Sequence, residues 1–145
     1  MNDIKSKLIF HNYWVEDIVY RYNNSYEGQR DVELKAKINV NHRTLQDNEL
    51  LVFINCELFE QNFTPESNPF YLNISIVGQF SLSSEYDEGR ETSEKVLKLN
   101  SSAILFPYVR STITSITSNA NNVNPVILPP INVYKLIESK EERAN

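Results

Sequence analysis

Chemically reactive side chains are few in this chain of 145 residues, which holds two histidines and one cysteine. His11 and Cys56 fall in strand-like segments and His42 in a turn-like one, so the three form no recognised metal-binding spacing. Alternation within its segment puts Cys56 among apolar residues, where a thiol behaves as a small hydrophobic group. Both histidines are typical of polar surface positions. This set of residues does not predict nucleophilic or metal-dependent chemistry.

The carboxylates are densest between Glu85 and Glu94, in a segment that we interpret as a solvated link. The chain has three glycines, Gly28, Gly78 and Gly89, and none of them belongs to a phosphate-binding loop or a nucleophile turn. We therefore expect no catalytic residue, no metal and no cofactor. The sequence predicts that the protein is not an enzyme.

Composition and charge restrict the class of protein further. Apolar residues make up 41% of the chain and the net charge is −5, which favours a folded protein that repels phosphate backbones. No basic cluster, signal-like apolar start or membrane-length apolar run is present, so we expect no nucleic-acid partner and no membrane insertion. The expectation is a cytoplasmic protein with a single domain over residues 1–145.

Four segments have the residue types of β-strands, and residues 34–40 alternate most cleanly between apolar and polar side chains. The first segment is apolar at both parities, which indicates either that both of its faces are partly covered or that a bulge changes the phase between Trp14 and Asp17. Gly78 interrupts the apolar row of the fourth segment and indicates a bulge or a close contact. We predict strands at about 8–22, 32–42, 49–60 and 70–83, joined as an antiparallel meander with one strongly apolar face.

The C-terminal half predicts helices at about 91–99, 102–119 and 132–143, with a break at residues 100–102. Leu105, Val109, Ile113 and Ile116 share one face of the long helix. The opposite face is rich in serine and threonine, and Arg110 is the only charged residue between Ser101 and Ala120. Small hydroxyl side chains let another backbone approach closely, so we expect an α+β fold whose long helix packs on the sheet and also contacts another chain.

The amino-acid sequence of this half resembles that of the SecB family of protein-export chaperones. The resemblance is carried by Ile104-Leu105-Phe106-Pro107-Tyr108-Val109-Arg110, by Ile113-Thr114-Ser115 and by Leu128-Pro129-Pro130-Ile131-Asn132-Val133, with Gly78-Gln79-Phe80-Ser81-Leu82 similar to the end of the family's last strand. The resemblance implies a homotetramer built as a dimer of dimers. Two chains form each dimer through their sheets, and two dimers form the tetramer by sandwiching their long helices. The oligomer interface is then expected at Arg110, Ser111, Thr114, Ser115 and Ser118.

The resemblance also implies an ATP-independent holdase that binds unfolded or non-native polypeptides, including preproteins for export, in apolar grooves. The chain itself has more large apolar groups than one sheet face would hide, among them Leu51, Phe53 and Phe59, and these either cover loops and oligomer contacts or line such grooves. The matching positions of the family add a second set. The candidate client-binding residues are Tyr26, Leu51, Phe53, Phe59, Ile127, Leu128, Ile131, Tyr134 and Ile137.

One departure from the family concerns the export motor SecA, which docks on acidic residues of the sheet surface in export-dedicated members. Asp17 matches one acidic position, whereas Arg21 and Asn73 occupy the other two in our alignment, unless the register of the first strand is off by a residue or two. A reversed charge and a lost charge weaken attraction for a basic partner. The alternative function is a SecB-like chaperone dedicated to an antitoxin or another single partner, without engagement of the motor.

Overall fold

The computed structural model of the protein describes residues 8–28, 32–45, 48–82, 90–120 and 127. Its elements are β1 (Leu8–Tyr22), β2 (Ala36–Leu45), β3 (Glu49–Leu58), β4 (Phe70–Leu82) and α1 (Arg90–Ala120). The predicted α+β class, with a four-stranded antiparallel sheet and one long helix, is confirmed. The predicted bounds of β1 hold, whereas β2 begins and ends later than predicted and β3 ends two residues earlier. The predicted helix at 132–143 lies outside the described residues.

The order of strands in the sheet is β1-β4-β3-β2, so the predicted meander is right for β2, β3 and β4 and wrong for β1. β1 pairs antiparallel with β4 along its whole length, from Leu8 opposite Leu82 to Tyr22 opposite Phe70. A long strand satisfies more of its backbone groups beside the long β4 than beside the shorter β2, and the connection after β1 is long enough to allow this. The result is the Greek-key order of strands.

Two irregularities interrupt the pairing of β1 with β4. The register shifts between Phe10 and Asn12 and again between Val15 and Asp17. The second shift confirms the bulge that was predicted between Trp14 and Asp17. Each shift leaves one extra residue on β1, and such a bulge exchanges the faces to which the following side chains point. The apolar residues at both parities of the sequence are thereby distributed over both faces of the strand.

The core lies between α1 and one face of the sheet, which we call the helix-side face. Leu105, Val109 and Ile113 of α1 are fully buried against it, as the helical spacing predicts. Gly78 allows this approach, because a Cβ atom built on it would lie 2.9 Å from Cδ1 of Leu105. The fully buried sheet residues of this core are Val52, Ile54, Cys56, Leu58, Leu72, Ile74, Ile76 and Phe80.

The predicted break at residues 100–102 is wrong, because α1 is one continuous helix through these positions. Ser101 and Ser102 are both fully buried, and both hydroxyls donate to the carbonyl oxygen of Lys98, at 3.1 and 2.8 Å. Their polar atoms are therefore satisfied within the helix. Nε2 of His42 on β2 lies 2.9 Å from the Ser102 hydroxyl, which ties the helix to the sheet. Pro107 is exposed and does not end the helix.

Thr117 does not belong to the outward face of α1 on which the serine and threonine pattern placed it. The residue is fully buried, and its hydroxyl donates to the carbonyl oxygen of Ile113 at 2.9 Å. Thr117 lies three positions after Thr114, which is only half-buried. The rotation of the helix therefore divides the hydroxyl residues between the core and the outward face.

Candidate functional site

Two surface loops lie against each other at one end of the sheet. The first loop, residues 23–28, follows β1, and the second loop, residues 59–69, connects β3 to β4. The side-chain amide of Asn23 donates to the carbonyl oxygens of Thr64 and Asn68, each at 2.9 Å, and its backbone N–H donates to Pro69 at 3.0 Å. Asn23 is only 5% exposed. The two loops are therefore joined by one buried side chain together with backbone hydrogen bonds.

Tyr26, the predicted client-binding residue of the first loop, is half-buried. Its backbone N–H donates to the carbonyl oxygen of Asn23 at 3.2 Å, and the N–H of Glu27 donates to Pro65 at 2.7 Å. The ring of Tyr26 lies against the backbone of Gly28. An aromatic ring is thus presented on a loop whose backbone is hydrogen-bonded to the next loop.

Phe59 is not on the surface where its parity in the sequence placed it. β3 ends at Leu58, and Phe59 adopts a φ of 65°, so the backbone turns and the ring enters the core. There it packs edge-on against Phe70, with the ring centroids 5.1 Å apart, and it is buried. Strand alternation cannot be extended to a residue in a left-handed conformation. In this structure Phe59 supports the fold and is not an accessible apolar contact.

Leu51 and Phe53 are half-buried on the sheet face that points away from α1, which we call the far face. Val77 of β4 lies between Phe53 of β3 and Trp14 of β1 in one cross-strand row. Val77 is 2% exposed while Trp14 is 40% exposed, as expected when two aromatic side chains cover a smaller residue between them. We call Trp14, Leu51, Phe53 and Val77 the far-face patch.

The structure does not bring all predicted client-binding residues together. Tyr26 is held at the second loop, which follows Leu58, whereas Phe53 lies five residues earlier on β3. At the rise of a strand this separation along β3 is roughly 17 Å. Ile127 is 72% exposed. The other predicted residues, Leu128, Ile131, Tyr134 and Ile137, lie outside the described residues.

The far face also carries the position predicted for motor docking. Asp17 is opposite Ser75, and Val19 is opposite Asn73, so Asp17, Arg21 and Asn73 share this face. The guanidinium of Arg21 lies 5.1 Å from the ring centroid of Phe63 in the second loop. The cation stands four residues from Asp17 on the same strand. This part of the surface is therefore of mixed charge.

A network of polar side chains continues across the far face from this region. The hydroxyl of Tyr71 donates to Oε2 of Glu57 at 2.6 Å and accepts from Nδ2 of Asn73 at 3.2 Å. The amide of Asn55 in turn donates to Oδ1 of Asn73 at 2.7 Å and to the hydroxyl of Ser75 at 2.8 Å. These bonds fix polar side chains of the two neighbouring strands β3 and β4. The far face is thus an ordered polar surface with the far-face patch at one end.

The outward side of α1 carries the residues predicted for the oligomer interface. Ser111, Ser115 and Ser118 are exposed, whereas Arg110 and Thr114 are half-buried. Ile104 is exposed on the same helix. Small hydroxyl and apolar side chains therefore occupy much of the exposed part of the helix from residue 104 to residue 118.

On β1 the sequence pointed only to Asp17 and to Trp14 as one of the surplus apolar residues, yet this strand has the most exposed apolar surface among the described residues. Val15, Ile18 and Tyr22 pair with buried residues of the helix-side row of β4, so they share that face. Ile18 is 44% exposed. The sequence already indicated this surface, because apolar residues occur at both odd and even positions of β1, which is unusual for a strand with one solvated face.

Reactive groups are sparse in the part of the chain that the structure describes. Burial, with a smaller contribution from the carboxylate of Glu57, raises the pKa of the Cys56 thiol to about 12, so this thiol is protonated and inert near neutral pH. No group of three or more histidine, cysteine, aspartate or glutamate side chains among the described residues is placed to hold a metal ion. No helix in the described ranges has the length and apolarity needed to span a membrane.

Comparison with known proteins finds relatives over nearly the whole chain. The model of the family described as preprotein translocase subunit SecB matches residues 3–144. An uncharacterized protein of Methanocaldococcus jannaschii, MJ0357, is 36% identical over 141 residues, which cover 95% of this chain and 87% of the relative.

Among solved structures, the Mycobacterium tuberculosis SecB-like chaperone Rv1957, in complex with a ChAD peptide from the antitoxin HigA1, is similar with a TM-score of 0.68. That similarity covers 86% of this chain and 91% of the other at 13% sequence identity. At this identity the similarity shows a shared fold.

Proposed function

Because the chain belongs to the SecB family, we propose that it is an ATP-independent holdase that keeps non-native polypeptides from aggregating by binding them on apolar surface. The family consists of chaperones and not of enzymes, which agrees with the prediction that this protein is not an enzyme. The proposal places the protein in the cytoplasm, where the buried thiol of Cys56 stays reduced.

The observation that carries the proposal is the far-face patch. Trp14, Leu51 and Phe53 present large apolar side chains on a hydrogen-bonded sheet, and such clusters at a surface mark interaction sites. Rigid strands fix these side chains in advance, so binding an extended client does not require ordering of the protein itself. Tyr26 supplies a second apolar contact at the other end of the sheet. A chain with apolar residues spaced along it can contact both.

The assembly is also part of the proposal. We propose a homotetramer, a dimer of dimers, in which the exposed apolar residues on the helix-side face of β1 and the outward side of α1 are covered by other copies. Ile18 on β1 and Ile104 on α1 are too exposed in one chain to be its core, and the serines between residues 111 and 118 permit close packing of helices. Arg110, Ser111, Thr114, Ser115 and Ser118 would then form the contact between helices.

A second candidate function is that of a chaperone dedicated to one partner, such as an antitoxin. Arg21 supports it, because a cation on the far face near Asp17 opposes docking of a basic segment of an export motor. The solved SecB-like chaperone of similar fold is in complex with an antitoxin peptide. Under this candidate the same apolar contacts serve one client and SecA is not engaged.

One comparison tests the first function against the second. The protein is mixed at near-stoichiometric ratio with several unrelated proteins that aggregate on dilution from denaturant, and light scattering is followed. Suppression for all of them is expected of a holdase, whereas protection of one alone would support the dedicated chaperone. No suppression of any would contradict the holdase proposal.

The same assay tests the apolar contacts. Changing Phe53 and Ile127 together to serine is expected to reduce suppression several-fold, because each loses most of the apolar area that it can bury against a client. The matched control is Asn41→Ser, which lies directly opposite Phe53 on β2 and is polar before and after the change. Full suppression by the double variant, with its oligomer intact, would remove these residues from the client-binding surface.

A further inference from the structure

We infer that Asn23 and Gly28 are positioning residues that hold the ring of Tyr26 in the orientation in which it meets a client. The inference rests on the proposed function, since it assigns a role to residues around a contact of that site. Neither residue would itself touch the client. Both would act through the geometry of the first loop.

The donor and acceptor groups of the Asn23 side chain all form hydrogen bonds with atoms of the two loops. An asparagine amide has two N–H donors, and here they serve the carbonyl oxygens of Thr64 and Asn68. Its Oδ1 atom accepts from the N–H of Ser25 at 3.1 Å. An aspartate in this place would have no N–H to donate and would set a negative charge against two carbonyl oxygens. The two side-chain hydrogen bonds from Asn23 to the second loop therefore require the amide.

The second loop is itself ordered, so it offers a fixed support to the first. Asn68 is buried, and its side-chain amide donates to the carbonyl oxygen of Glu60 at 2.9 Å. The N–H of Thr64 donates to the hydroxyl of Ser67 at 2.8 Å, and the N–H of Ser67 donates back to Thr64 at 3.1 Å. Asn23 thus joins the first loop to a turn that is closed by its own hydrogen bonds.

Gly28 also determines where the ring of Tyr26 can lie. A Cβ atom built on Gly28 would lie 2.6 Å from Cε1 of Tyr26, which is closer than two carbon atoms can approach. The atom that must give way belongs to the end of a side chain, and residue 28 is exposed, so the ring would swing aside while the fold is kept. The ring of Tyr26 can therefore occupy its observed position only if residue 28 is glycine.

A ring that is already in place loses less freedom when a client binds. Immobilising a mobile side chain at an interface lowers affinity by about threefold to tenfold, which is the size of effect expected when the loop is loosened. Loosening the first loop should lower the affinity for a client only while the ring of Tyr26 is present. This dependence separates positioning from a general structural role.

The experiment is a double-mutant cycle with a permanently unfolded probe, reduced and carboxymethylated α-lactalbumin carrying a fluorophore. The dissociation constant is measured by anisotropy for the single variants Asn23→Asp, Gly28→Ala and Tyr26→Ala, and for the two double variants that include Tyr26→Ala. Each single variant is expected to weaken binding by about threefold to tenfold. In the double variants the first-loop change should add no further loss to that of Tyr26→Ala. Losses that multiply, or single variants that bind as well as the parent, would overturn the inference.

Asn24→Asp serves as the matched control, because Asn24 is the exposed neighbour of Asn23 and the same change of charge is made there. It should leave affinity unchanged. If Asn23→Asp does not fold, Gly28→Ala completes the cycle alone, since that change leaves the hydrogen bonds between the loops in place.

Amide hydrogen exchange tests the loop independently of any client. In the parent protein the N–H groups of Tyr26 and Glu27 are hydrogen-bonded, and in Asn23→Asp they are expected to exchange at least about tenfold faster. Unchanged exchange would contradict the role of Asn23. A parent protein that binds no unfolded probe but shows this change would contradict the proposed function and leave the loop contact established.

Discussion

The two edge strands of the sheet, β1 and β2, are built in opposite ways. β2 has ten residues and presents Lys37, Asn39, Asn41 and Arg43 on the far face. β1 has 15 residues and seven large hydrophobic side chains that are each more than a third exposed. These are Ile9, Tyr13, Trp14, Val15, Ile18, Val19 and Tyr22.

This difference indicates what each edge is for. Edge strands expose unpaired backbone groups, and proteins protect them from unwanted pairing with charged side chains. β2 follows this rule through Lys37 and Arg43. β1 does not, and the apolar residues on its helix-side face, such as Ile18, would be costly in water, so that face suits a permanent contact with another copy of the chain. In the proposed assembly β1 is therefore the edge that contacts another copy, and β2 is the edge that faces solvent.

The largest effect is expected from a charge on β1. Ile18→Lys would bury an unpaired ammonium group in the proposed contact, and the dissociation constant of the assembly should rise by at least roughly a hundredfold, because an uncompensated buried charge costs several kcal/mol. Analytical ultracentrifugation measures it. Asn39→Lys on β2 is the matched control and should leave the mass unchanged. Equal masses for Ile18→Lys and the parent would mean that β1 is not an assembly edge.

A smaller loss of assembly is expected from Thr114→Lys on α1. If helices join two dimers that β1 has already formed, this variant should stop at the dimer, since a long cation cannot be accommodated where backbones pack closely. Light scattering coupled to size-exclusion chromatography distinguishes the two masses. A variant that remains at the parent's mass would contradict the helix contact, and a monomer would show that the two contacts depend on each other.

A gain of association is expected when the charges of β2 are removed. Lys37→Val combined with Arg43→Val gives this edge the apolar character of β1 without changing the core, because both side chains point to the far face. Species larger than the parent assembly should then appear as concentration rises. Sedimentation velocity would detect them. The double change Lys37→Glu and Arg43→Glu keeps the edge charged and should form none.

The smallest effect is expected at Cys56, on β3, beside β2. Its pKa of about 12 leaves little thiolate at pH 8, so labelling requires the core to open. Breaking the β1 contact with Ile18→Lys leaves the pairing of Cys56 with Ile38 and Ile74 intact, and the labelling rate should stay within about twofold of the parent. A much faster rate would show that the two edges are energetically coupled.

Regular local patterns made much of the fold predictable. The buried row of α1 follows from the spacing of Leu105, Val109 and Ile113, and the family resemblance is carried by a contiguous run of residues around them. The helix at 100–102 was misjudged because Ser101 and Ser102 are good capping residues in isolation, whereas here their hydroxyls bond within the helix and one meets His42.

The remaining errors concern contacts between distant parts of the chain. The pairing of β1 with β4 joins residues about 60 positions apart, which local alternation does not encode. The contact of the two loops depends on Asn23 and on backbone carbonyl oxygens more than 40 residues away, and backbone acceptors leave no trace in a sequence. Phe59 does not point to the face that strand alternation predicts, because β3 ends at Leu58 and Phe59 itself has a positive φ.

The two bulges of β1 have a consequence for a protein that meets unfolded chains. A regular strand of a client can form continuous backbone hydrogen bonds with β1 only along a stretch without a bulge, for example residues 17–22. At a bulge the register of its hydrogen bonds is lost. A second copy carries the same kinks and can match them. In the proposed assembly the irregular outline would favour pairing with a second copy, and it would disfavour the pairing of straight client strands with the edge of the sheet.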